Sequence, residues 1–306
     1  MLSKRTDLAL ETRESFPGDG GEIEGVVLDK KTIEISRDFR FDVSTVKIIN
    51  ESGADRMKKP MGTYITIEIG NVLHIEDDDR EKVIEQISML IEELTGRLDK
   101  LRVLVAGLGN RQVTADSLGP LMVDELNVSR HLALEYGHSF LDSLGIGEVC
   151  AIAPGVMAQT GMEAEEILSA IADDIKPDII LVIDALAARS VKRVTTTIQV
   201  TDTGINPGSG VGNHRLGIDR ENLGVPVIAI GVPTVVEAEV IVGDRIEEFM
   251  YRQGFSDDEI QVFLSNMGEP AIRDMYVTPK NIDETVKAVG KLIADVINHA
   301  MTIGTA

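Results

Sequence analysis

Three short, uninterrupted apolar runs restrict the fold of this chain more than any other feature: Val103 to Ala106, Ile179 to Ile183 and Val225 to Gly231 (VPVIAIG). A strand with one face in water alternates apolar with polar residues. A continuous run bounded by turn residues instead predicts a strand buried on both faces, inside a parallel sheet. Between the first two runs, Gly161 to Ile175 places Met162, Ile167 and Ile171 at helical spacing, and Pro177 breaks it. Strand, helix and strand in that order make a crossover unit. The chain is therefore read as α/β: a three-layer sandwich around a mostly parallel twisted sheet.

Upstream the pattern changes. KTIEISR, VKIINES and TYITIEI alternate apolar with polar residues, which predicts an added small antiparallel β layer at the edge of the main sheet. Val83, Ile84, Ile87, Leu90, Ile91 and Leu94 recur at helical spacing. The acidic run Glu76 to Glu81 directly before them suits the positive end of a helix dipole. Further helices are predicted from about Leu121, over Glu237 to Tyr251, near Ser256 to Leu264 and over Ile282 to Met301, with a loop region at His131 to Gly147 and a short β piece at MYVTP. Residues 1–306 are read as one domain. The polar, turn-rich stretch of about 1–23, with its breaker cluster Pro17 to Gly21, is read as an N-terminal arm.

Charge limits the partners. Against 30 Lys+Arg stand 51 Asp+Glu, a net charge of -21, which repels nucleic-acid phosphate and anionic membranes. No apolar stretch reaches the length of a membrane span, and no apolar segment follows Lys4 and Arg5 as in a signal peptide. The single cysteine, Cys150, rules out a disulfide within the chain and fits a reducing, intracellular setting. Its apolar surroundings, VCAIA, predict a buried structural thiol.

Candidate chemistry sits where apolar strands end. The run at 103–106 leads through Gly107 and Gly109 to Asn110, Thr114 and Asp116, and the run at 179–183 leads directly to Asp184. Open α/β sheets place their sites at such carboxyl ends. If the two strands are neighbours, Asp116 and Asp184 meet as a carboxylate pair. Such a pair shares one proton, which supplies an acid and a base able to activate water and polarise an amide carbonyl. The spacing is equally compatible with each aspartate capping the helix that would follow it. Asp202 opens the tripeptide Asp202-Thr203-Gly204, a signature of pepsin-like and retroviral proteases. Those are β-proteins that need two copies, whereas this chain has one copy in an α/β setting. His214 follows the Gly-rich loop DTGINPGSGVGN and keeps open a divalent-metal set of Asp116, Asp184 and His214. The stretch GLGN lacks the third glycine of a dinucleotide-binding loop, no Gly-Lys-Ser/Thr marks a P-loop, and no G-x-S-x-G occurs.

GLGN, T-x-D-S-L-G-P, VIDALAARS, DTGINPGSGVGN and IAIGVPTV, in this order and preceded by RTDLALE, resemble the germination proteases of endospore-forming bacteria. The similarity runs over nearly the whole chain. It implies a phosphorylase/hydrolase-like fold related to the hydrogenase maturation proteases. It also implies an atypical aspartic endopeptidase, without cofactor or metal, that degrades small acid-soluble spore proteins in the spore core during germination. A homotetramer and a self-processing zymogen are implied as well, with the propeptide cut just ahead of a segment like RTDLALE, of which only Met1 to Lys4 precede Arg5 here. The catalytic aspartates of that family fall on Asp116 and Asp184, whereas Asp202 and His214 gain no established role from it. Two alternatives on the same scaffold are a metal-dependent protease of the hydrogenase-maturation type and a non-catalytic assembly protein.

Overall fold

The apolar runs form the centre of one sheet. The computed structural model describes residues 6–16, 23–208, 216–266 and 275–302. It opens with α1 (Ala9–Glu14), β1 (Val26–Glu34), β2 (Arg40–Ile48), α2 (Glu51–Met57), β3 (Gly62–Glu68) and α3 (Asp77–Thr95). β4 (Arg102–Gly107) is followed by α4 (Leu118–Asp124), α5 (Arg130–Tyr136), α6 (His138–Leu144), β5 (Glu148–Ile152), α7 (Met157–Thr160), α8 (Ala164–Ile175) and β6 (Ile179–Ala188). The chain continues through β7 (Thr197–Thr201), α9 (Arg220–Leu223), β8 (Val227–Glu237), α10 (Ala238–Arg252), α11 (Asp257–Asn266), β9 (Tyr276–Val277) and α12 (Ile282–Ala300).

Among the described residues nine strands make a single sheet in the order β1-β2-β3-β7-β8-β6-β4-β5, with β9 against β8. Strands β8, β6, β4 and β5 run parallel, and the remaining pairings are antiparallel. The expected antiparallel layer is thus a wing of the same sheet, joined through the β3–β7 and β7–β8 pairings.

The layering explains the apolar runs. Val103, Val105, Ile179, Leu181 and Ile183 face one core with Val83 and Ile87 of α3, Met122 of α4 and Val286 and Leu292 of α12. Leu104, Ala106, Ile180 and Val182 face the opposite core with Leu168 and Ala172 of α8 and Leu223 of α9. Helices cover both faces, so neither set of alternating side chains can be polar. This is the three-layer α/β arrangement.

Three local features differ from the sequence expectation. Strand β6 runs on through Ala188 because β8 pairs with it past Asp184, from Asp184↔Gly231 to Ala188↔Val236. The presumed loop at His131 to Gly147 contains α5 and α6, each too short to display a period. Part of the presumed N-terminal arm is docked: Leu8, Ala9 and Leu10 are 0% exposed. Leu8 packs with Leu186, Val236 and Val240, and Ala9 with Val46, Met57 and Tyr64. None of the described helices is long and apolar enough to cross a membrane.

Candidate active site

Strand register brings the two aspartates to one place. β4 pairs with β6 up to Gly107↔Ile183, and the next residue keeps contact through Leu108 N donating to Ile183 O at 2.8 Å. Asp184 therefore stands on β6 at the point where β4 turns away. The turn then doubles back. Asn110 N donates to Asp116 O at 2.8 Å and to Asp116 Oδ2 at 2.9 Å, which closes the loop on the aspartate. Thr234 of β8 donates from Oγ1 to Ala115 O at 2.6 Å and ties this turn to the far side of β6.

Two glycines make the closure possible. Gly109 has φ +111, and a Cβ there would lie 2.0 Å from Asp116 O. At Gly119 a Cβ would lie 2.4 Å from Leu108 O, so only glycine lets the start of α4 rest on the end of β4. These glycines are turn and packing residues. The reading of both aspartates as helix caps also fails. Asp116 faces back into its own loop, Ser117 precedes α4 without a side-chain cap bond, and Ala185–Ala188 is strand.

Asp116 and Asp184 line one cavity of about 990 Å³. Asp184 is buried, 6% exposed, and its Oδ1 accepts from Ala185 N at 2.9 Å. Around them the cavity wall includes Gly155 and Val156 beyond β5, Gly231 and Thr234 of β8, and Thr203 and Gly204 beyond β7. Two carboxylates thus face one cavity on the side where β4 and β6 part, and the more enclosed of them, Asp184, stands on the longer strand.

Asp202 is placed otherwise. Its Oδ1 accepts from Thr63 N at 2.7 Å, pinning the start of β3 to the end of β7, and it is not among the cavity-lining residues. His214 lies outside the described residues. Among the described residues no group of three or more His, Cys, Asp or Glu side chains is arranged to hold a metal ion. Cys150 is half-buried on β5, where burial pushes its thiol up.

Several cavity residues escaped the sequence reading. Lys59, Tyr64 and Gln199 line the same space, together with Thr6 and Asp7 of the N-terminal segment. Lys59 Nζ donates to Asp7 O at 2.9 Å. Burial pushes its ammonium below the ordinary lysine value, against the opposing influence of Asp7 and Glu11. The Tyr64 hydroxyl donates to Pro60 O at 2.9 Å. Burial pushes this phenol up to about 12, with a Thr203 hydrogen bond opposing and Asp202 reinforcing the shift. Gln199 sits on β7 and Lys59 in the stretch between α2 and β3, and neither stood out in the sequence. RTDLALE was the one signal that pointed to Asp7.

A family model described as germination protease matches residues 4–261. The germination protease of Clostridium perfringens (strain 13 / Type A) is 42% identical over 317 residues, covering 98% of this chain and 96% of that one. The germination protease of Bacillus velezensis is 37% identical, covering 97% and 93%. Among solved structures, a NiFe hydrogenase maturation protease from Thermococcus kodakarensis KOD1 matches with a TM-score of 0.35 and 17% identity, covering 68% of this chain and 98% of that chain.

Proposed function

The chain belongs to the germination protease family, and we propose that it is an aspartic-type endopeptidase that degrades small acid-soluble spore proteins in the spore core during germination. The observation that carries this reading is the presence of Asp116 and Asp184 in one cavity, Asp184 on β6 just past its last pairing with β4 and Asp116 in the turn that follows β4. In the proposed reaction one carboxylate takes a proton from water, which attacks the peptide carbonyl. The protonated partner polarises the carbonyl oxygen and keeps its own proton when the tetrahedral intermediate collapses, and the carboxylate that took the proton from water passes it to the leaving amine. No cofactor or metal is required. The net charge of -21 favours a substrate protein that is itself basic over any nucleic acid.

Synthesis as a self-processing zymogen belongs to the same reading. It is supported by Thr6 and Asp7, which reach the same cavity as the aspartate pair. Assembly as a homotetramer is supported by large apolar side chains left in water on α10 and α11, among them Phe249 at 62% and Phe263 at 46% exposure.

The test is incubation with a purified small acid-soluble spore protein, followed by mass spectrometry of the fragments. Asp116→Asn and Asp184→Asn are each expected to lower the rate by about 10²–10⁴-fold while leaving the melting temperature close to that of the parent. Undiminished cleavage by both variants would sink the aspartic mechanism, and loss of cleavage on adding a chelator would argue for a metal.

A further inference from the structure

Resting on the reading above, we infer that Ala187, Lys59 and Gln199 form a subsite that reads the main chain of an extended substrate peptide, and that the chain's own Asp7 occupies it here. The edge of β6 explains why a peptide fits. β4 covers that edge only as far as Ile183, with Leu108 N as its last donor, to Ile183 O. Two residues on, the Ala185 N–H is taken by the Asp184 carboxylate. Beyond it Ala187, whose polar groups point to the same edge, exchanges two hydrogen bonds with the N-terminal segment. Asp7 N donates to Ala187 O at 3.0 Å, and Ala187 N donates to Asp7 Oδ2 at 2.9 Å.

From the other side the segment is held by side chains. Lys59 Nζ donates to Asp7 O at 2.9 Å and Gln199 Nε2 donates to the same oxygen at 3.2 Å. Gln199 Oε1 accepts from Ala9 N at 2.7 Å. Ala9 opens α1, so the Gln199 amide is held in place through Oε1 by the docked helix and offers Nε2 to the carbonyl of the cavity-bound residue. Nearly all these contacts are to the main chain, so any extended peptide can make them, whatever its side chains. Thr6 and Asp7 line the cavity, whereas Leu8, Ala9 and Leu10 are fully buried in the cores. The cavity-bound part can therefore leave without drawing α1 out of the fold. Ala187 lies three residues beyond Asp184, about 10 Å along a strand. A substrate carbonyl seated there would be roughly three residues from the bond under attack.

The two sides of this contact give opposite expectations. Lys59→Met and Gln199→Ala remove donors that a substrate would use. KM for the small acid-soluble spore protein should rise about tenfold in each, with kcat within about twofold, as for loss of one buried hydrogen bond. Asp7→Ala weakens the occupant and keeps the donors, so KM should fall several-fold. A synthetic peptide of residues 4–12 added in trans should inhibit the Asp7→Ala protein competitively. If Asp7→Ala and the donor variants raise KM or lower stability together, the contact is only a structural anchor and the inference is overturned. Should Lys59→Met fail to fold, Gln199→Ala and Asp7→Ala still give the opposed signs. Wild-type cleavage by Asp184→Asn would instead defeat the catalytic reading on which the subsite depends.

Discussion

The residues that matter most are held by geometry that small substitutions would break. Gly109→Ala places a methyl group against Asp116 O in a backbone region that costs an L-residue about 1–2 kcal/mol. The expected outcome is a lower melting temperature together with at least a tenfold loss of kcat, because the atom displaced belongs to the aspartate itself. Tyr64 makes a separate prediction about pH. It is 3% exposed, and in the folded chain it keeps its proton up to about 12, against an ordinary value of 10.0. Its contribution is therefore fully present below pH 10 and is lost as the pH rises through about 12, a shift worth about 3 kcal/mol. Urea unfolding between pH 9 and 12 should show a steeper decline for the parent than for Tyr64→Phe. Parallel declines would count against a buried phenol.

Among the elements, α1 depends on one cation. Arg193 meets Glu14 at 2.6 Å, Glu68 at 2.9 Å and Glu11 at 3.6 Å with its side chain only 12% exposed. Glu11 also accepts from the N–H groups of Arg189 and Ser190 at 2.7 and 2.8 Å. Removing the cation leaves a buried carboxylate without its counter-charge, so Arg193→Met should cost about 3–5 kcal/mol in denaturant unfolding. How far the elements could be read from sequence follows from the same physics. β4 and β6 were legible because helices cover both faces, which leaves an unbroken apolar signature, and that signature also led to Asp116 and Asp184. The end of β6 was not legible. Ala185-Leu186-Ala187-Ala188 suits a helix as well as a strand, and pairing with Gly231 to Val236 of β8 decides the matter. The docking of residues 6–16 was hidden for a related reason. Its partners, Lys59, Ala187 and Gln199, are distant in sequence, and none of them carries a local pattern. Asp202 carries the tripeptide of two-copy proteases, which a single copy in an α/β chain already argued against, and in the structure its Oδ1 accepts from Thr63 N of another strand.

For the whole molecule, the exposed aromatic side chains of α10 and α11 set the expectation about assembly. Phe249→Glu combined with Phe263→Glu should convert the proposed tetramer to smaller species in light scattering, with each subunit still folded. An unchanged mass would move the interface elsewhere. The continuity of the sheet has a further consequence, for the order of events during synthesis. Asp116 is held through Ala115 by Thr234, and β7 enters the sheet between β3 and β8. A nascent chain that has exposed both aspartates but not β8 lacks the strand that fixes them. Contacts of such long sequence separation form late, after their loop-closure entropy has been met. The pair is thus assembled only when most of the polypeptide has left the ribosome, so that under the proposed mechanism a growing chain would have no means of cutting itself or its neighbours before that point.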